Sequence, residues 1–165
     1  MDAAVLRAMA RWPGVPEVYG WLMLDRRGQW RLRNPAAERF ERIGNQALRD
    51  FISRNYERDD QGRWFFQNGP QRVFVRLAYT PLVVHFEGDG LLDHCGRSFG
   101  IEQALLDEEG AVLLAGRASI ALLDDRDLER FADQAQALPR VARAQVAERF
   151  GFVPDPAPPT GSEGR

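Results

Sequence analysis

Lysine is absent from this sequence of 165 residues: all 22 basic residues are arginine, set against 24 Asp and Glu and two His. The planar arginine fork suits phosphates and carboxylates. Abundant Ala, Gly and Pro beside it point instead to the codon bias of a GC-rich genome. The charges are interspersed and sum to −2, without the basic footprint that nucleic-acid binding usually leaves, so nucleic acid is not expected as the main partner. Cysteine is limited to Cys95, which rules out an internal disulfide and fits a reducing compartment. Long apolar runs are missing too. No window approaches the roughly 18 unbroken apolar residues of a membrane span, and MDAAVLRAMARWPG lacks the apolar core of an export signal. The expectation is a cytoplasmic chain with no membrane partner. Neither standard phosphate-binding glycine loop occurs, and no cofactor is expected.

What is present is ordinary globular composition, 44% apolar and 28% charged, in a chain long enough to bury one respectable core. A turn signature, Asp-x-x-Gly-x-(large apolar), occurs at Asp25–Trp30, Asp59–Trp64 and Asp107–Val112. Aspartate accepts hydrogen bonds from the turn backbone, glycine supplies a positive φ, and the large residue opens the outgoing strand. YGWLMLD leading to WRLR, and ALLD leading to AVLLAG, read as β-hairpins. After the first comes Asn45 with Leu48, Phe51 and Ile52, and after the third comes Asp125 with Leu128, Phe131 and Ala132. Each is a capping residue followed by one apolar helix face. We read a degenerate internal repeat of hairpin, connector and helix over residues 19 to 58 and 103 to 137. Ala3 to Trp12 forms a short helix broken by WPGVPEV, and a last helix follows Pro139 and stops at Gly151. The fold class is therefore α+β, with antiparallel hairpins packed on two or three helices. The divisions are 1–17 as entry helix and proline-rich segment, 18–90 and 91–153 as the two repeats, and 154–165 as a disordered tail.

In the stretch WFFQNGPQRVFVRL, Trp64 to Leu77, Trp64-Phe65-Phe66 is a strand, Gln67 to Gln71 turns, and Val73, Val75 and Leu77 alternate on the way back. Asn-Gly signals a hairpin, and Pro70 directly after it implies a longer or bulged loop. As a site, Gln67, Asn68 and Gln71 offer amides, Arg72 a charge and Trp64 a ring. The end of the preceding helix, Arg54 and Asn55, would line the same cleft. As structure, the rings are hairpin core, and this reading has the greater weight.

Two motifs invite catalysis. Gly96-Arg97-Ser98-Phe99-Gly100 matches the G-x-S-x-G nucleophile elbow, yet His85 and His94 both precede Ser98 where the elbow's histidine follows. Asp93-His94-Cys95 suggests a thiol nucleophile or a metal ligand. On a strand these neighbours would point to opposite faces, giving a buried or partly buried thiol beside a surface imidazole. Carboxylate pairs at Asp59-Asp60, Glu108-Glu109 and Asp124-Asp125 flank turns or helix starts, where capping explains them. No catalytic and no metal residues are assigned.

WRLR and RIGNQALRDFISRNYERDDQGRWFFQNGPQRVFVRLAYTP resemble an uncharacterised family of small proteobacterial proteins, a domain of unknown function, over Tyr19 to Phe86. A more distant resemblance, in the order of hairpin, helix, acidic-Gly turn, strand and Thr-Pro, is to a second uncharacterised bacterial family. It implies a fold of repeated β and α units and a suggested role in signalling or ligand binding. The reading that follows is a non-enzymatic binding or regulatory domain, taking a small molecule or protein between its repeats with QNGPQR at the rim. The alternatives are a small hydrolase or transferase using Cys95 or Ser98 with His85 or His94, and an interaction protein self-associating as a homo-oligomer through an edge strand.

Overall fold

The computed structural model describes residues 1–161. Its strands are organised by one local device. In each Asp-x-x-Gly turn the aspartate Oδ1 accepts the backbone N–H groups two and four residues later. Asp25 takes those of Arg27 and Gln29, Asp59 those of Gln61 and Arg63, and Asp107 those of Glu109 and Ala111. A fourth copy, Asp93 with Cys95 and Arg97, lies where the sequence suggests a strand. Glycines 28, 62, 96 and 110 all sit at φ between 75° and 86°, the left-handed region that closes the loop. His94 and Cys95 are thus turn residues, and the opposite-face argument does not apply to them.

Contacts divide the chain into two units, and both are mixed α and β. The first comprises Met1–Met23, Trp30–Leu77 and the segment from Val153. It holds α1 (Ala3–Arg11), β1 (Val18–Leu24) up to Met23, β2 (Trp30–Asn34), β3 (Arg39–Arg42), α2 (Gln46–Arg54), β4 (Tyr56–Arg58), β5 (Trp64–Asn68) and β6 (Gln71–Leu77). The sheet order is β3-β2-β1-β6-β5-β4. Asn45 caps α2 through Leu48 N–H at 3.1 Å, as its position suggests. The core under α2 is aromatic. Trp30 meets Tyr56 edge-on at 4.9 Å, Tyr56 lies 5.0 Å from Trp64, and Phe66 meets Phe51 edge-on at 5.5 Å. Trp30 Nε1 donates to Ser53 Oγ, so a buried indole keeps its hydrogen bond.

The β5–β6 hairpin departs from expectation. Asn68 pairs directly with Gln71, leaving a two-residue turn of Gly69 and Pro70. Glycine at φ 56° takes the first position, and proline's fixed negative φ suits the second, so the proline needs no longer loop. The expected tail is anchored at its start: Leu77 N–H donates to Pro154 O at 2.7 Å and Pro156 is buried. Residues 157–161 are exposed, and 162–165 lie outside the described residues.

The second unit comprises Leu24–Gln29 and Ala78–Phe152. Its strands are β7 (Leu82–Glu87), β8 (Gly90–Asp93), β9 (Gln103–Leu106), β10 (Val112–Ala115) and β11 (Ile120–Leu123), in the order β8-β7-β11-β10-β9. The β7–β11 pairing is parallel. Leu105, Leu113, Leu114, Ile120, Ala121 and Val84 have no exposed surface, as residues of a central sheet covered on both faces should. The helix expected after β11 is a 3-10 segment, Asp125–Phe131, capped by Asp124 through Arg126 N–H rather than by Asp125. Asp127 reaches out of it to accept Phe86 N–H at 2.8 Å, which ties it to the sheet and holds it in short, tight turns. The last helix, α3 (Arg143–Phe150), ends at Gly151 in the left-handed conformation.

Candidate functional site

Alternation along β5 separates its residues between two environments. Trp64 and Phe66 pack with the aromatic cluster under α2, whereas Phe65 meets Phe74 at 6.2 Å and carries the Arg72 guanidinium 3.8 Å over its ring. Gln67 and Arg72 line a cleft of about 380 Å³ with Met9, Trp12, Val15 and Glu17 from the end of α1 and the proline-bearing segment after it. Proline at 13 and 16 keeps that segment out of helix and strand. Gln71 Nε2 lies 3.4 Å from Pro16 O, joining hairpin to segment.

Gln67 is the unusual group of the cleft. It is 2% exposed. Its Nε2 donates to Gly69 O at 3.1 Å, which fixes the amide, since the flipped form would set two oxygens against each other. Its Oε1 is then buried with no donor among the described residues. A buried acceptor left in this way costs about 1–3 kcal/mol, and most such groups in proteins are satisfied.

The other residues singled out from the sequence lie elsewhere. Asn68 borders an apolar groove lined by Trp21, Leu32, Ile43 and Leu48. Trp64 is buried in the aromatic cluster, with its Nε1 also lacking a partner among the described residues. Arg54 and Asn55 hold the chain's start: Arg54 Nε lies 3.2 Å from both Asp2 carboxylate oxygens, and Asn55 Oδ1 accepts the Asp2 N–H at 2.7 Å. Only Gln67 and Arg72 of the seven line the cleft, with Gln71 tied to the segment that closes it. Met9, Trp12 and Glu17 are additions the sequence did not suggest.

The catalytic alternatives find little geometry. Ser98 bridges back to Leu92, and Phe99 N–H donates to Leu91 O. GRSFG therefore continues the Asp93 turn as a returning arm, followed by β9 and not by the helix an elbow requires. The His94 imidazole turns inward where a surface ring was expected. Its Nδ1 accepts Val83 N–H at 3.2 Å, its Nε2 is buried, and burial, with Arg97 nearby, holds its pKa down to about 3. A neutral imidazole whose Nδ1 lone pair is engaged offers no general base through that nitrogen. His85, on β7, faces Glu87 at 3.8 Å. No group of three His, Cys, Asp or Glu among the described residues is arranged to hold a metal.

The second unit has a smaller cleft, about 240 Å³, bordered by Arg26, Arg27, Glu109 and Asp125. Its charges answer one another: Arg27 meets Asp125 at 3.0 Å, and Glu109 meets Arg143 at 2.6 Å and Arg26 at 3.8 Å. Beside it Tyr79 donates to the buried Asp107 Oδ2 at 2.8 Å, and burial together with that carboxylate raises the phenol's pKa. Arg26 and Arg143 each lie within about 5 Å of the tyrosine ring. This cluster is satisfied internally.

Residues 1–157 match the DUF2944 family, described as a protein of unknown function (DUF2946). Among solved structures, a DUF1285 family protein from Silicibacter pomeroyi DSS-3 is similar with 19% identity and a TM-score of 0.51, over 81% of this chain and 84% of that one. A DUF1285 family protein from Shewanella baltica OS155 has 16% identity and a TM-score of 0.46, over 68% of this chain and 90% of that one. The first likeness is one of fold. No curated protein matches the chain.

Proposed function

The chain belongs to the DUF2944 family, and from that premise we propose that it is a non-enzymatic binding domain, regulatory in role, whose site is the cleft between the α1–β1 segment and the β5–β6 hairpin. The observation that carries this reading is Gln67 Oε1, a buried acceptor without a donor among the described residues, at a cleft bordered by Trp12, Met9, Arg72 and Glu17. A ligand N–H or O–H would supply the missing bond. With Gln67 2% exposed, that donor arrives as the Trp12–Glu17 segment shifts, so binding and the position of the segment are coupled, as a sensor requires.

The test is a thermal-shift screen over metabolite classes, followed by chemical-shift mapping of any hit. Gln67→Leu is expected to change stability by no more than about 1 kcal/mol, since the lost bond to Gly69 offsets the removal of an unsatisfied oxygen. The same change should abolish the ligand-induced shift. Failure of every class to perturb Trp12, Gln67 or Arg72 would overturn the reading.

A second reading, self-association, is favoured by the apolar groove. Trp21, Leu32 and Leu48 are 45%, 46% and 39% exposed around it, an unusual concentration on one surface.

A further inference from the structure

We propose that the ligand of the Gln67 cleft is a zwitterion, an α-amino acid or short peptide with an apolar side chain; this rests on the ligand-binding reading above. Arg72 and Glu17 give the lining of the cleft one charge of each sign. Arg72 stacks on Phe65 at 3.8 Å. Stacking uses the face of the guanidinium and leaves its N–H edge for a carboxylate fork. No carboxylate among the described residues pairs with it. Glu17 accepts the Tyr19 hydroxyl on Oε2 at 2.7 Å and keeps Oε1 for another donor. Gln67 Oε1, reached once the Trp12–Glu17 segment moves, adds a neutral acceptor. An ammonium has three N–H donors to place and no acceptor of its own, which suits Glu17 and Gln67.

The pairing of signs also selects against other ligands. A simple anion entering the cleft would meet Glu17, and a simple cation would meet Arg72. A molecule bearing both charges answers each of them, which is discrimination by repulsion as well as attraction. Met9, Trp12 and Val15 give the remaining wall an apolar character suited to an aliphatic or aromatic side chain. A volume of about 380 Å³ falls in the range of small-molecule sites.

The test titrates the full ¹⁵N-labelled chain with L-leucine, L-leucyl-L-leucine, the dipeptide's N-acetyl and C-amide forms, and the doubly capped dipeptide. The zwitterions are expected to move the Trp12, Gln67 and Arg72 amides, and each cap to weaken binding by about tenfold. Comparing L-leucine with the dipeptide distinguishes a free amino acid from a peptide. Arg72→Gln should erase discrimination against the C-amide while keeping that against the N-acetyl group. Glu17→Gln should do the reverse. A purely structural role would not split the two preferences. Equal binding of capped and uncapped dipeptides, or binding of a singly charged or neutral metabolite at these amides when neither zwitterion binds, would overturn the zwitterion and leave the site standing. Silence of these amides toward every compound would overturn both.

Discussion

His94 carries the clearest consequence of a single residue. Its ring lies within the second unit, with Nδ1 accepting Val83 N–H, and burial holds its pKa down to about 3. In the unfolded chain imidazole titrates near its ordinary value of about 6.5. The native state therefore refuses a proton that the unfolded state takes between those two values. Stability is complete above about pH 6.5 and falls as pH drops toward 3, by up to about 1.4 kcal/mol per unit. His94→Asn keeps an acceptor for Val83 N–H and removes the titration. Urea denaturation at pH 7.5, 6 and 4.5 should show the stabilities of the two proteins converging toward acid, because only the parent bears this term. Parallel pH curves would mean that the imidazole protonates in place.

At the scale of elements, one turn design serves four times, and its glycines are not equivalent. A Cβ on Gly28 would lie 2.7 Å from His94 Cβ and 3.3 Å from Val83 Cβ, whereas one on Gly110 would meet nothing within 4 Å. Both glycines have a positive φ. Gly110→Ala should cost roughly 1 kcal/mol through backbone strain alone. Gly28→Ala adds a collision with a side chain held by its own hydrogen bond and should cost roughly 2–4 kcal/mol. Chemical denaturation measures the difference, and equal costs would remove the packing role given to Gly28. Three of these turns were legible because Asp, Gly and a following large residue form a contiguous signal. The fourth escaped because Ser98 stands where the pattern asks for a large apolar residue, although Asp93 Oδ1 accepts the Cys95 and Arg97 N–H groups as its counterparts do in the other three turns. Gln67 and Arg72 were legible for a similar local reason, since a turn shows its flanking residues. Met9, Trp12 and Glu17 were not, because they come from the N-terminal segment; Pro16 and its partner Gln71 are 55 residues apart. No local pattern encodes that meeting. The same holds for Arg54 and Asn55, whose bonds to Asp2 span 52 and 53 residues.

For the whole molecule, the question is whether it acts alone. The sequence raises pairing through an edge strand, and β3 is an edge of the first sheet. That edge carries Arg39 and Glu41, joined at 3.1 Å, with Arg42 beside them. Charged edges of this kind discourage strand addition. The apolar groove has no such guard, as Leu32, Leu48 and Trp21 leave large side chains in water beside buried Ile43 and Phe66. Burying each of these exposed surfaces against a second copy is favourable at about 25 cal/mol per Å². A net charge of −2 opposes association only weakly. Sedimentation equilibrium from micromolar to millimolar protein should therefore show mass rising toward a dimer. Leu48→Glu, at an exposed helix position that leaves the fold intact, should return it to the monomer while preserving the thermal transition. A monomer mass across the whole range would exclude self-association through this face. It would also leave the groove as surface and the Gln67 cleft as the candidate site.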